Sequence, residues 1–307
     1  MYYIQAISSI THQASFRSAN VFEDLQLIDK ATEIVSPDYK EFIPGNALRR
    51  LSPVLRMGLA ASIECKNQVG LDFDSIVVGT ALGCLKDTEK FLNTIHTTTS
   101  DFLSPTAFIQ STHNTIGGQI SLGLKNHAYN MTHTQNSLSF EVSLLDAMMC
   151  INEGKKNVLV GAADEKIDFL EHLQPSIISD THPLSSGASF FALSGEKDKS
   201  RVCINSVGVT FADSDLNQQI SEFLSQKGLN PDHIDIVLHS NNSGIELFDE
   251  EQCINFLDYS GLYYSASAFA VHMAHDYLMN SDSSLALVVN TICDNSLGMI
   301  LLEKDEA

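Results

Sequence analysis

The feature that most constrains the fold is a pattern that occurs twice in the chain. In each copy, a turn of small residues is followed by an apolar helix and then by a buried strand. The first copy starts at Ser137 (SLSF) and ends with NVLVG at residues 157–161, and the second starts at Ser265 (SASA) and ends with SLALVVN at residues 284–290. Two copies at nearly equal spacing predict a duplicated α/β unit whose two central helices meet in one core.

The other apolar runs predict the remaining elements of such a unit. Ser52-Pro53 favours a helix start, since serine caps N-termini and proline is tolerated in the first turn. The predicted strands cover residues 2–8, 75–80, 157–161, 187–193, 202–209, 234–239, 285–290 and 299–303, and the predicted helices cover residues 53–63, 140–153, 216–226, 250–257 and 269–279.

The length of the chain allows either two ordinary domains or one large α/β unit, because it has 307 residues. Apolar residues make up 44% of the chain, which is enough for a substantial core. We expect residues 1–195 and 196–307 to be the two halves of one compact unit.

The charge of the chain argues against a nucleic-acid partner. The net charge is −20, and Arg49-Arg50 and Lys155-Lys156 are the only adjacent basic pairs. No run approaches the roughly 18 apolar residues that a membrane span needs. The start, MYYIQAISSI, has neither a basic region nor a long apolar core, so we expect no signal peptide.

The cysteines and histidines predict neither disulfides nor a metal site. None of the six cysteines forms a C-x-x-C pair and several lie in apolar stretches, which indicates reduced thiols and a cytoplasmic location. His272 and His275 are three residues apart on a predicted helix, but no third ligand is spaced to join them. We expect both to be structural, and no cofactor is implied.

Three stretches resemble the β-ketoacyl synthases. SPTAFIQSTHNTIGGQISLGLKN (104–126) is similar to the segment before that family's nucleophile, residues 132–165 resemble its T-A-C-x-S-G turn with the following helix and strand, and IDIVLHSNNSGIELFDEEQ (234–252) resembles its H-G-T strand. The resemblance implies an α/β, thiolase-like fold, with two duplicated βαβαβ-type halves in an αβαβα layered arrangement. It also implies dimers that pair a central strand across a two-fold axis, for which residues 157–161 are the matching segment.

The position of the family's nucleophile carries no cysteine in this chain. The family's spacing, counted back from Gly154, places Ser137 at the cysteine. Asn136 or Gln135 occupies that position if the turn is one or two residues shorter. A condensing enzyme needs a thiolate there, with a pKa lowered by the helix N-terminus.

The family's other reactive positions are also changed. His239 matches the first of its two catalytic histidines, but Tyr264 falls at the lysine of the K-x-x-x-G-H motif and Phe269 at its histidine. Ile-Cys-Asp-Asn at residues 292–295 replaces the G-F-G-G loop. With one histidine missing, the carbanion formed by malonyl decarboxylation has no second stabilising group.

These replacements predict a non-condensing subunit, similar to the chain-length factors of polyketide and aryl-polyene biosynthesis. Such a subunit pairs with an active ketosynthase as a heterodimer, or with itself. An acyl carrier protein is a further candidate partner, although carriers are acidic and charge repulsion weakens docking. That repulsion is screened beyond about 8 Å at physiological salt.

Two other functions remain open from the sequence. The first is a serine acyltransferase or thioesterase that uses Ser137 with His239 as its base. The second is a module that binds an acyl chain or a carrier protein without converting it. The roles of Glu141, a carboxylate in the first turn of a core helix, and of Cys293, a thiol in the replaced loop, are also open.

Overall fold

The computed structural model describes residues 1–28, 30, 33–97, 105–177, 182–197, 200–211, 215–240, 245–293 and 295–305, except for the side chains of 174–177. Three parts of the stretches compared above lie outside the described residues. These parts are residue 104, residues 241–244 after the H-G-T-like strand, and residue 294 in the loop that replaces G-F-G-G.

The first half of the chain forms five hydrogen-bonded strands in the order β3-β2-β4-β5-β1. Strand β2 is parallel to β3 and β4, and β5 is antiparallel to β4 and β1. The strands are β1 (Tyr2–Ile10), β2 (Ser75–Gly79), β3 (Tyr129–His133), β4 (Val158–Asp164) and β5 (Gly187–Ser194).

The second half repeats this arrangement strand for strand, in the order β8-β7-β9-β10-β6. Strand β7 is parallel to β8 and β9, and β10 is antiparallel to β9 and β6. The strands are β6 (Val202–Thr210), β7 (Ile236–His239), β8 (Cys253–Asn255), β9 (Leu285–Asn290) and β10 (Leu297–Lys304). The predicted duplication is therefore confirmed, and a short antiparallel contact of β1 with β6 joins the two sets.

The helices form three layers around the two sets of strands. Helices α6 and α10 share one core with the inner faces of both sets, α2 and α5 cover the outer face of the first set, and α8 covers that of the second. The helices are α1 (Gly45–Leu48), α2 (Pro53–Val69), α3 (Leu85–Thr97), α4 (Pro105–Gln110), α5 (Thr115–Leu124), α6 (Ser139–Asn152), α7 (Asp168–Ile177), α8 (Leu216–Ser225), α9 (Leu257–Ser260) and α10 (Ser267–Asn280).

Strand β2 shows how the sequence builds these layers. Val77 belongs to the central core, whereas Ile76 and Val78 belong to the outer core with α2 and α5. Successive side chains of a strand point to opposite faces, so a continuous apolar run supplies both cores. The αβαβα arrangement is thus confirmed. Among the described helices, none has both the length and the apolar composition to cross a bilayer.

Two predictions about individual segments are wrong. Residues 250–257 do not form one helix, because Glu250–Gln252 is a single 3₁₀ turn held by an Asp249 capping box and Cys253–Asn255 pairs with β7. Residues 157–161 cannot pair across a dimer axis, because β4 is hydrogen-bonded to β2 on one edge and β5 on the other. Strand β3 has β2 as its only strand neighbour among the described residues.

Candidate functional site

The turn between β3 and α6 is a tight elbow with Asn136 at its apex. Asn136 has a φ of +48°, in the left-handed region that asparagine tolerates better than most residues. The Ser139 hydroxyl closes the turn, since it accepts from Gln135 N (2.9 Å) and donates to Asn136 O (2.6 Å). The Asn136 and Gln135 side chains are exposed in the isolated chain, so both face outward from the elbow.

Ser137 faces the interior instead. It is fully buried, and among the described residues its hydroxyl has no hydrogen-bond partner. Its backbone carbonyl accepts from the Asn290 side-chain amide at 2.8 Å, which ties the elbow to the end of β9. The residue that the sequence placed first at the nucleophile position therefore does not point out of the turn.

Glu141 lies one helical turn beyond the elbow and is completely buried. The same Asn290 amide nitrogen that holds Ser137 also donates to Glu141 Oε1 at 2.8 Å. Burial raises the pKa of Glu141 to about 7, although the hydrogen bond from Asn290 favours the charged form. The carboxylate fits because Gly298 on β10 has no side chain, and a Cβ there would lie 2.8 Å from Oε1.

His239 ends β7 and is buried, and its Nδ1 has no hydrogen-bond partner among the described residues. Burial lowers the pKa of His239, an effect that Asp258 partly opposes, so the imidazole is neutral at physiological pH. Because the Ser137 hydroxyl and His239 Nδ1 are both unpaired, the structure does not form a Ser–His hydrogen bond through Nδ1. A serine acyltransferase needs a bond between the hydroxyl and its base to activate the nucleophile.

Tyr264 and Phe269 have different surroundings. Phe269 is fully buried in the core shared by α6 and α10 and packs edge-on against His272, with the ring centres 6.2 Å apart. Tyr264 is half-buried, and its pKa is raised by burial and by the nearby Cys293 and Asp164. Phe269 therefore fills space with hydrocarbon where the resemblance implies an imidazole.

Two buried carboxylates that the sequence analysis missed hold the loops around the site. Asp164 accepts from the Thr80 hydroxyl at 2.8 Å and from the backbone of the loop that follows β2. Glu165 accepts from Val54 N (3.2 Å) and Lys86 N (3.0 Å), in the first turns of α2 and α3. Two adjacent acids at the end of a buried strand were the available signal. Burial raises the pKa of both, that of Glu165 to about 7.

None of the described thiols takes the place of a nucleophile in the elbow. Cys84 directly precedes α3, but it is buried, and burial together with Glu165 raises the pKa of its thiol. Cys293 is partly buried and free.

The two histidines of α10 are bound by neighbouring side chains. His272 contacts Ser9 Oγ at 2.8 Å, and His275 contacts Asp276 Oδ1 at 2.9 Å. Burial lowers the pKa of His272 to about 4, so this imidazole is neutral. Within the described residues, no three His, Cys, Asp or Glu side chains are grouped to hold a metal ion.

Comparison with known proteins identifies the family. Residues 27–227 match the family described as "Beta-ketoacyl synthase, N-terminal domain". The chain belongs to the β-ketoacyl synthase family. This confirms the family and the thiolase-like fold that the sequence implied. No curated protein sequence matches the chain significantly.

Solved structures of ketosynthase assemblies share this fold. The ishigamide ketosynthase/chain length factor is similar with a TM-score of 0.80 and 14% identity over 99% of both chains. A type II PKS ketosynthase with its acyl-carrier protein (AntDE:AntF), bound to the hexaketide, has a TM-score of 0.79 and 14% identity over 99% of both. The ketosynthase ApeO with its chain length factor ApeC from Xenorhabdus doucetiae has a TM-score of 0.61 and 15% identity, again over 99% of both.

Proposed function

We propose that this β-ketoacyl synthase family member is a non-condensing subunit of the chain-length-factor type. It pairs with an active ketosynthase in polyketide, aryl-polyene or fatty-acid-like biosynthesis. The observation that carries the proposal is the elbow, whose left-handed apex is Asn136 and whose turn holds no cysteine. A carboxamide is not a nucleophile, so the elbow keeps its shape without the reactive atom of a condensing enzyme.

We assign the position of the family's cysteine to Asn136 rather than Ser137. The apex of a strand–turn–helix elbow presents its side chain outward, whereas Ser137 is fully buried. The buried Phe269 and the half-buried Tyr264 support the same function, since Phe269 has no polar side-chain atom in place of the histidine and Tyr264 carries no positive charge in place of the lysine.

This assignment is tested by placing a cysteine at each position. We expect Asn136→Cys to react with iodoacetamide at least about tenfold faster than Ser137→Cys, because only the first thiol is accessible at a helix N-terminus. Site-resolved mass spectrometry separates the new thiol from the six native cysteines. Faster alkylation of Ser137→Cys would return the nucleophile position to Ser137.

The proposed pairing surface is the edge of β3 that has no strand neighbour in the part of the chain that the structure describes. The strand is flanked by exposed apolar side chains on three elements: Leu122 on α5, Tyr129 and Met131 on β3, and Met149 on α6. An edge strand with unpaired backbone groups and an apolar border favours pairing with another chain. Ketosynthase family dimers pair a strand across a two-fold axis, and β3 replaces residues 157–161 as the segment proposed for this role.

The partner is tested by co-expression with an intact ketosynthase that carries T-A-C-x-S-G, taken from the neighbouring genes. We expect the two chains to purify together, and Met131→Asp to abolish the complex because it introduces a charge at the edge of β3. Met279→Asp on α10 is the matched control, since the two methionines are 39% and 40% exposed. Recovery of both chains as separate homodimers would contradict the heterodimer.

An acyl carrier protein remains a second proposed partner. Although the chain is strongly acidic, Arg49, Arg50, Lys86 and Lys90 are exposed around the starts of α2 and α3. Glu165 accepts from the backbone of both helix starts, so the segments that carry these four cations are neighbours. A local basic surface is what an acidic carrier requires.

A further inference from the structure

The buried carboxylate of Glu141 lies close to the elbow in space as well as in sequence. Glu141 Oε1 and the Ser137 carbonyl oxygen both accept from Asn290 Nδ2, at 2.8 Å each. Ser137 is the residue directly after the apex Asn136. The carboxylate is therefore two hydrogen bonds away from the backbone of the elbow, and it has no exposure to solvent that would screen it.

A carboxylate at this place opposes the usual electrostatics of a helix start. The N-terminus of α6 carries unpaired N–H groups and the positive end of the helix dipole, which together favour thiolates and other anions. A negative charge in the first turn interacts with the same groups and repels a second anion. Because Glu141 is buried and only the apex of the elbow is exposed, this repulsion is screened less than that between two exposed charges.

The part of the chain that the structure describes places no compensating cation against Glu141. The groups that face it are Asn290 on β9, the Ser267 hydroxyl on α10 and the Cα of Gly298 on β10, none of which titrates. Its second oxygen, Oε2, has no hydrogen-bond partner among the described residues. The charge of Glu141 is therefore not neutralised by an ion pair with these groups.

We propose that Glu141 is a specificity-determining residue, whose buried carboxylate makes the elbow unfit for thiolates and for carboxylate-bearing acyl groups. Uncharged acyl groups can still bind beside Asn136, because the carboxylate does not repel them. The inference rests on the proposed function only in taking Asn136 as the apex of the elbow. It adds that a restored cysteine alone does not recover the chemistry of a condensing enzyme, because Glu141 still raises the pKa of its thiol.

The test uses a probe cysteine, Asn136→Cys, and two reagents that differ in charge. Iodoacetamide is neutral and iodoacetate is an anion of nearly equal size. At about pH 8.5, where Glu141 is ionised, we expect Asn136→Cys/Glu141→Gln to show a rate ratio of iodoacetate to iodoacetamide about tenfold above that of Asn136→Cys. The pH dependence of the iodoacetamide rate should also give a lower thiol pKa in the double variant.

The matched control is Glu153→Gln in the same Asn136→Cys background. Glu153 is exposed at the other end of α6, so its removal should leave the reagent ratio unchanged. An equal ratio with and without Glu141, or an equal effect of Glu153→Gln, would overturn the proposal.

A measurement on Asn136→Cys alone keeps the test decisive if the Glu141→Gln substitution impairs folding. Its reagent ratio should fall as the pH rises through about 7, the pKa of Glu141. A ratio that stays flat across this range overturns the proposal. None of these readouts depends on a partner, so loss of the ketosynthase complex and failure of the charge effect are separate outcomes.

Discussion

At the scale of residues, the site is defined by buried polar groups with few partners. The Ser137 hydroxyl, His239 Nδ1 and one Glu141 oxygen lack hydrogen-bond partners among the described residues, and all three lie at ends of the central strands and helices. Native cores normally satisfy almost every buried polar atom, so each of these three groups calls for a specific explanation, such as a functional role. Asn290 is the residue that connects this centre, since one amide nitrogen holds both the elbow and Glu141.

The buried Glu141 predicts that the protein becomes less stable as the pH rises. Its pKa is raised from 4.5 when free to about 7 in the fold, so the folded state binds the proton more tightly than the unfolded state. Stability is therefore lost from about pH 4.5 upward and levels off above about pH 7, by an amount on the order of 3 kcal/mol. We expect Glu141→Gln to unfold at a higher temperature than the unsubstituted chain at about pH 8.5, with little difference at about pH 4.5.

Calorimetric scans across this pH range check the prediction. The pKa of Glu165 is also raised to about 7. The stability of Glu141→Gln should therefore still fall as the pH rises, but by less than the stability of the unsubstituted chain. Parallel stability curves for the two proteins would show that Glu141 does not titrate between the folded and unfolded states.

At the scale of elements, glycine and carboxylate positions set how closely helices approach strands. A Cβ at Gly79, the last residue of β2, would lie 2.6 Å from the Ser139 carbonyl oxygen, so the start of α6 rests directly on the strand. At the start of α2, the Ser52 side chain makes no capping bond, and Glu165 accepts from Val54 N instead. The helix starts are thus placed by contacts from distant parts of the chain.

This close approach predicts a large effect of Gly79→Ala. The added methyl group meets backbone atoms, which cannot rotate away, so we expect a loss of several kcal/mol (about 3 or more) in the free energy of unfolding. Gly118→Ala in α5 is the control, because nothing lies within 4 Å of its added Cβ. That change should stabilise by up to about 1 kcal/mol, since alanine favours helices over glycine. Urea denaturation of both variants compares them, and equal stabilities would contradict the contact between β2 and α6.

At the scale of the whole molecule, the two halves share their central core. Phe191 on β5 and Ile300 on β10 belong to the same cluster, together with the inner faces of α6 and α10. Neither half can bury this cluster alone, because each half supplies one side of the shared core. We therefore propose that residues 1–195 and 196–307 unfold together as one cooperative unit.

The prediction is that a core substitution in either half shifts the same transition. Phe191→Ala and Ile300→Ala should each lower the free energy of unfolding by roughly 2–5 kcal/mol, with one transition retained in each case. Differential scanning calorimetry distinguishes this result from independent halves, in which one variant would melt in two separate steps.

Much of the architecture could be predicted from the sequence because it depends on local patterns. Apolar runs located every described strand except β3 and β8. Strand β3 was missed because its side chains, including Tyr129 and Met131, are largely exposed. Strand β8 was missed, and a helix wrongly predicted at residues 250–257, because pairing of Cys253–Asn255 with β7 overrides the local preference of an acidic segment.

The sequence by itself determined the duplicated α/β pattern, the family resemblance and the absence of a cysteine from residues 132–140, because periodicity and residue type are local properties. Only the tertiary structure decided that Asn136 forms the apex and Ser137 faces inward, since that depends on one backbone angle of +48°. It also decided that, among the described residues, β3 rather than β4 has a free edge, and that Glu141 is buried beside the elbow. These facts depend on strand neighbours and on contacts with Asn290 and Gly298 in the other half of the chain, which no local pattern records.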